Sequence, residues 1–171
     1  MSEFVVRPSC AEDVADITRI YRHYVLNTNA TFELEEPDCE EMARRRLEIL
    51  RRGLPYLTAE EEDAVVVGYA YANLYRTRAA YRFTVEDSIY VDPEYLGRGC
   101  GQTLLAALIT QCELGPWRQM IAVIGDSGNT ASITLHERCG FHRVGTLGAV
   151  GFKFGRWVDS VLMQRGLGTT F

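Results

Sequence analysis

Nothing in this sequence approaches the ~18 consecutive apolar residues that a membrane-spanning helix needs. Its first residues, MSEFVVRPS, lack both the basic patch and the long apolar stretch of a secretory signal. Those two absences predict a cytoplasmic protein with no membrane partner. Positive charge is not in excess either: 18 Lys and Arg stand against 23 Asp and Glu, a net charge of −5. Such a surface does not suit nucleic acid, and none is expected as a partner. The five cysteines, Cys10, Cys39, Cys100, Cys112 and Cys139, are odd in number and contain no C-x-x-C pair. That argues against a disulfide framework and a zinc site, so no metal is expected, and the cysteines read as small apolar filler. Repeats, low-complexity tracts and linkers are missing too, which predicts one domain spanning residues 1–171.

What is present reads as alternating strands and helices. Phe4 to Arg7 suits a short strand ended by Pro8, and Ser9 with Glu12 has the S-x-x-E spacing of a helix capping box. Val14, Ile17, Ile20, Tyr21 and Tyr24 then recur at helical spacing. Asp38 and Glu41 repeat the capping signal before a second helix, whose inner face should carry Met42, Leu47 and Leu50. LPYLTAE and AVVVGYAYANLYR predict a hairpin turning at Glu61 to Asp63, and YRFTVEDSIYV a further strand. A helix follows the glycines at 97–101; QMIAVIG is apolar enough for a central strand. Asn129 and Gly140 bracket a short helix, and two strands, near His142 to Ala149 and Asp159 to Arg165, close the chain. The order β-α-α-β-β-β-α-β-α-β-β predicts an α/β (α+β) domain with a mixed sheet and helices on both faces.

Gly97, Gly99 and Gly101 stand at alternate positions on the threshold of a helix, where glycine is costly in backbone entropy. A helix start presents unpaired N–H groups and the positive end of the dipole, and residues without side chains let an anion approach them. One glycine would suffice for a tight turn; three point to a diphosphate cradle. The spacing G-x-G-x-G is not the dinucleotide fingerprint, and no G-K-S/T marks a nucleotide-phosphate loop. Arg76 and Arg78, Arg98, and Lys153 with Arg156 are local cationic spots on an acidic chain, which suits small anionic ligands.

GRGCG after IYVDPEYL resembles the pyrophosphate loop of the GNAT superfamily of N-acetyltransferases, Q/R-x-x-G-x-G/A, with Leu96 in place of its first residue. NTASITLHERCGF resembles that family's second coenzyme segment, and the element order is the family's own. LNTNATFELEEP, YRTRAAYRFTVEDSIYV, LHERCGF and VGFKFGRWVD resemble its phosphinothricin and methionine sulfoximine N-acetyltransferase branch. The resemblance implies a mostly antiparallel, splayed sheet of about seven strands and acetyl-CoA as co-substrate. It implies Glu86 as the base that deprotonates an amine, and His136 as a catalytic group for the leaving thiolate or the oxyanion. Ile89, Tyr90, Val91, Gly97, Arg98, Gly99, Cys100, Gly101, Gln102 and Asn129 would hold the coenzyme. Phe32, Arg76, Thr77, Arg78, Tyr81, Glu86, Asp87 and Ser88 would form the pocket for a small amino-acid substrate. Lys153, Arg156 and Trp157 fall in a structural or dimer-interface segment, and a homodimer is implied.

From the residues themselves, Glu86 is a strand carboxylate among apolar neighbours, and burial there would raise its pKa. Strict alternation points Asp87, its rival, to the opposite face. Arginines suit a substrate carboxylate or phosphinate through paired hydrogen bonds. The activity implied is acetyl transfer to the α-amine of phosphinothricin, methionine sulfoximine or methionine sulfone. Two alternatives stand beside it: a protein or peptide N-acetyltransferase, and a non-catalytic acyl-CoA-binding module.

Overall fold

The computed structural model describes residues 4–61 and 65–168. In chain order they form β1 (Val5–Pro8), α1 (Val14–Asn27), α2 (Cys39–Arg51), β2 (Tyr56–Glu61), β3 (Val65–Leu74), β4 (Thr84–Val91), α3 (Cys100–Glu113), β5 (Gln119–Gly125), α4 (Thr130–Arg138), β6 (His142–Lys153) and β7 (Arg156–Gly166). The strands make one sheet in the order β1-β2-β3-β4-β5-β7-β6. Neighbours run antiparallel except β4 and β5, which are parallel. This is the mixed sheet that the element order predicts, and the mostly antiparallel sheet of seven strands that the resemblance implies.

Alternation along β3 shows how the two faces are filled. Tyr69 and Tyr71 stack with Tyr56 of β2 in the space under α1 and α2. Gly68 faces the other way, where an added Cβ would lie 3.0 Å from Leu104 and 3.2 Å from Cys100 of α3. Ile17, Ile20 and Val25 of α1 and Leu104, Leu105 and Leu108 of α3 are fully buried against the sheet. Removing each such side chain from water is worth about 1.5–3 kcal/mol.

Several local expectations are corrected. The cap before α1 is shifted by one residue: the Asp13 carboxylate accepts from the Cys10 amide at 2.8 Å. Ser9 instead serves Arg46, whose Nε donates to its hydroxyl at 2.8 Å and whose Nη2 donates to its carbonyl at 2.6 Å. That pairing lets Arg46 be buried on the inner face of α2 beside Met42 and Ile49, while Leu47 and Leu50 face outward. The Asp38 cap of α2 is where the sequence places it, accepting from the Glu41 amide at 2.9 Å. Pro8 lies within β1, which its missing N–H permits because β1 is an edge strand. Glu61 still belongs to β2; the rest of the expected hairpin turn, Glu62 and Asp63, lies outside the described residues. β6 and β7 are longer than expected and meet at Lys153 and Arg156, so the KFGRW segment is the tip of a hairpin.

Cys100 and Cys112 are buried filler as expected, but Cys39 is exposed and Cys10 and Cys139 are half-buried.

Candidate active site

The parallel strands β4 and β5 are in register at only three pairs, Thr84–Gln119, Val85–Met120 and Glu86–Ile121. β4 then continues to Val91, held on its other side by β3, and β5 continues to Gly125, held by β7. Past Glu86 the two halves of the sheet therefore diverge, and β4 shows an edge without a strand partner. A cavity of about 250 Å³ occupies the opening. Its walls include Phe32, Glu86, Asp87, Ser88, Ile89, Tyr90, Asn129 and His136 from the expected site set, brought together from four parts of the chain.

Beside the opening, α3 begins at Cys100 with Gly99 as its N-cap at φ +91°, preceded by Gly97 at φ +74°. Both need the left-handed region that glycine enters freely, and a Cβ at either would meet nothing within 4 Å. Gly101 has a different job. It lies inside the helix, where an added Cβ would sit 3.3 Å from Leu135 of α4. Two glycines thus bare the helix start, and the third lets α4 pack close. Arg98 pairs with Glu61 and lies over the rings of Tyr95 and Phe4. Cys100 is buried against β3, and Gln102 is exposed on the first helical turn.

Glu86 is half-buried at the apex of the opening. Burial, and then the charge of Asp87, push its pKa up to about 7. Asp87 points to the opposite face, as alternation requires, but that face is where α4 packs. Its Oδ2 lies 2.9 Å from His136 Nε2, while His136 Nδ1 lies 2.7 Å from the Ser132 carbonyl. Both ring nitrogens are thereby engaged within the protein. Burial works against the charged ring, but the Asp87 hydrogen bond and charge outweigh it and raise the His136 pKa. Sequence reading treated Asp87 and His136 separately; alternation sent Asp87 away from Glu86 but did not name its partner.

Asn129 caps α4, its side chain accepting from the Ser132 amide at 3.2 Å, and also faces the cavity. Val91 is set apart from Ile89 and Tyr90: its carbonyl accepts from the Tyr24 hydroxyl at 2.5 Å, and it is not on the cavity wall. Arg76, Thr77, Arg78 and Tyr81 lie on the exposed segment after β3, outside that wall. Arg76 is spread over the rings of Tyr75 and Tyr81 at 5.1 and 5.8 Å.

The loop after α1 roofs the cavity and is tied down from two sides. Lys153 Nζ donates to the Thr31 carbonyl at 2.8 Å from a buried position. The Tyr21 hydroxyl donates to Glu33 at 2.9 Å and meets the Thr31 hydroxyl at the same distance. Phe32 lies on bare backbone: a Cβ on Gly151 would fall 2.5 Å from its ring. Arg156 pairs with Asp126 at 2.5 Å. Sequence reading missed the contribution of Thr31, Gly125, Ser132 and Ser160 to the cavity, since small residues at strand and loop ends carry no chemical signature.

A sheet that splays between two parallel strands, with a bared helix start beside the gap, is the architecture of an acyl transferase that draws on a coenzyme thioester. A family model described as acetyltransferase (GNAT) family matches residues 17–141. A phosphinothricin N-acetyltransferase of Alcaligenes faecalis is 57% identical over 156 residues, 91% of this chain and 79% of that protein. The L-methionine sulfoximine/L-methionine sulfone acetyltransferase of Salmonella typhimurium is 40% identical over 157 residues, 89% of this chain and 88% of that protein. The crystal structure of a phosphinothricin acetyltransferase from Sinorhizobium meliloti in complex with AcCoA superposes with a TM-score of 0.94 at 48% identity, covering 96% of this chain and 89% of that one. The chain belongs to the GNAT family of acetyltransferases, in the branch of the phosphinothricin and methionine sulfoximine enzymes.

Proposed function

We propose that this protein transfers the acetyl group of acetyl-CoA to the α-amine of a small amino acid of the phosphinothricin, methionine sulfoximine or methionine sulfone type. The observation that carries the mechanism is Glu86, a carboxyl with a pKa of about 7 at the apex of the β4–β5 opening. The opening fits acetyl-CoA in two respects. The free edge of β4 at Ile89 and Tyr90 offers main-chain groups to the pantetheine amides as an added strand would. The bare turn at Gly97 and Gly99, with the α3 amides behind it, offers the diphosphate a close approach. Cys100, Gly101 and Gln102 belong to that first turn, and Asn129 faces the pantetheine side.

Held there, the thioester carbonyl meets an amine that binds an ammonium ion's proton too tightly to react. Glu86 takes that proton, directly or through water; the neutral nitrogen forms the amide bond as the carbon–sulfur bond breaks, and the second proton the nitrogen sheds passes, directly or through water, to the departing sulfur, which leaves as the thiol. A base with a pKa near 7 is matched to this task at neutral pH. Phe32 and the roof loop enclose the amine, and a cavity of about 250 Å³ suits a free amino acid better than a polypeptide end. The presence of Glu86 speaks against a module that only binds acyl-CoA. Release of free thiol in the presence of acetyl-CoA and an amino-acid panel tests the proposal. Turnover on one of the three named substrates is expected; no release with any of them overturns it.

Arg78 and Arg76 are assigned to the substrate's anionic groups, with Thr77 and Tyr81 beside them in the substrate-binding set. Arg78→Ala is expected to raise KM for the amino acid about tenfold or more, as loss of a charge-assisted hydrogen bond does. Acetyl-CoA affinity should be unchanged by calorimetry; a collapse there would move Arg78 to the coenzyme.

A homodimer is part of the same proposal. Edge strand β6 and its hairpin expose Val144, Val150, Phe152, Phe154 and Trp157, each more than half exposed. An apolar row of this kind on a sheet edge calls for cover. Light scattering should give twice the chain mass, and a monomer at every concentration would remove the dimer. Among the described residues no helix is long and apolar enough to cross a membrane, and a cytoplasmic site of action completes the proposal.

A further inference from the structure

We infer that Asp87 is a positioning residue for Glu86: its buried carboxylate, clamped by His136, is the fixed negative charge against which the neighbouring base has to ionise. The inference rests on the reading of Glu86 as the base, and deepens it by assigning the pair behind it.

The geometry fixes the charge state of the pair. The Ser132 carbonyl can only accept, so His136 Nδ1 at 2.7 Å has to carry a proton. Nε2 faces Asp87 Oδ2 at 2.9 Å. The Asp87 hydrogen bond and charge raise the His136 pKa against the effect of burial, so the shared proton is assigned to the ring. The two side chains are 3% and 2% exposed, so water screens neither charge effectively. Asp87 Oδ1 is also buried, and no donor among the described residues reaches it. That oxygen's share of the negative charge is met by no hydrogen bond among the described residues.

The pair is thus a dipole whose negative end is the residue next to Glu86 and whose positive end is across on α4. With both nitrogens occupied, His136 has no N–H to lend to a leaving thiolate. It acts through Asp87.

Of the other titratable groups around this pair, the tyrosines and cysteines are neutral near pH 7, while Arg165 of β7, which donates to the Cys139 carbonyl, is paired with Glu113. Tyr90 on β4 and Tyr71 on β3 are pushed up by burial. Cys112 on α3 is pushed up to about 12 by burial and then by Asp87, and Cys139, just after α4, is raised by burial. On β5, the residue paired with Glu86 is Ile121. Glu33 and Arg45, beyond Tyr71, neutralise each other in an ion pair. Burial is the larger cause of the raised Glu86 pKa, and Asp87 is the charge that adds to it.

The sign follows. A fixed negative neighbour makes the second carboxylate harder to form, so it delays ionisation of Glu86 and places the acid limb of kcat/KM close to neutrality. Asp87→Asn keeps a hydrogen-bond partner for His136, its side-chain amide now donating to the unprotonated Nε2, but removes the charge. In this variant the acid limb should move to lower pH by about one unit or more. The carboxyl carbon of Glu86, followed by NMR in the free enzyme, should move with it. The His136 ring, protonated at pH 7 in the wild type, should become neutral in the variant. A purely structural role for Asp87 would lower the rate without moving either midpoint, and that result overturns the inference. So does a neutral His136 ring in the wild type, a measurement that does not depend on the variant folding. The NMR titrations need no turnover. Should thiol release fail with every amine, the base assignment falls while the titrations still decide the pair.

Discussion

Glu86→Gln is expected to lower kcat about 10²- to 10⁴-fold, the usual worth of a positioned proton acceptor. Gln has the shape of Glu and keeps the contacts at the apex of the opening, so the fold and the coenzyme site should be untouched. Calorimetric affinity for acetyl-CoA should equal that of the wild type. The deficit should also shrink as the pH approaches the pKa of the amine, because the substrate then sheds its proton unaided. Wild-type behaviour has a different shape: activity rises through pH 7, where the Glu86 carboxyl ionises. Thiol release undiminished in the variant at neutral pH would exclude Glu86 as the base.

Gly125→Ala is expected to cut kcat/KM for the amine about 10²-fold, although the change adds a single methyl group. A Cβ at position 125 would fall 2.1 Å from the Asn29 carbonyl oxygen and 3.1 Å from the Phe32 ring. The first of these is backbone and cannot rotate away, so the whole roof loop has to lift. A displacement of about 1 Å in a positioning element is enough for a loss of this size. Overpacking of this kind also costs about 1–3 kcal/mol of stability, readable as a lower denaturation midpoint. Gly145→Ala is the control, since a Cβ there meets nothing within 4 Å; it should stay within about 0.5 kcal/mol of the wild type. Full activity in Gly125→Ala would mean that the roof loop does not position the substrate.

Legibility in the sequence followed the range of the interaction. QMIAVIG became β5 without a residue's error, and Asn129 and Gly140 bracketed α4 as read, because run length, cap and C′ glycine are local signals. The count of seven strands followed from the element order; their spatial order, with β7 between β5 and β6, did not. Local reading failed where a distant partner intervened. Ser9 has the spacing of a cap but is taken by Arg46, 37 residues away. Leu47 and Leu50 were assigned to the core by hydrophobicity, yet the inner face of α2 admits an arginine because Ser9 satisfies it. At the site, the residues on the cavity wall from β4 were legible through motif and alternation. The link from Asp87 to His136 spans 49 residues and two elements, and no periodicity encodes it. The three glycines looked alike in the sequence; only the approach of Leu135 separates Gly101 from the other two.

Glu86 is the last residue of β4 still matched to β5. If the halves of the molecule breathe, they turn about that point as a pair of tongs turns about its rivet. Travel is greatest at the far tips, where Val91 and Gly125 end their strands, and falls toward nothing at the fulcrum. On the proposed mechanism the coenzyme and the amine would then lie where the jaws move, and the proton would be exchanged at the spot that shifts least.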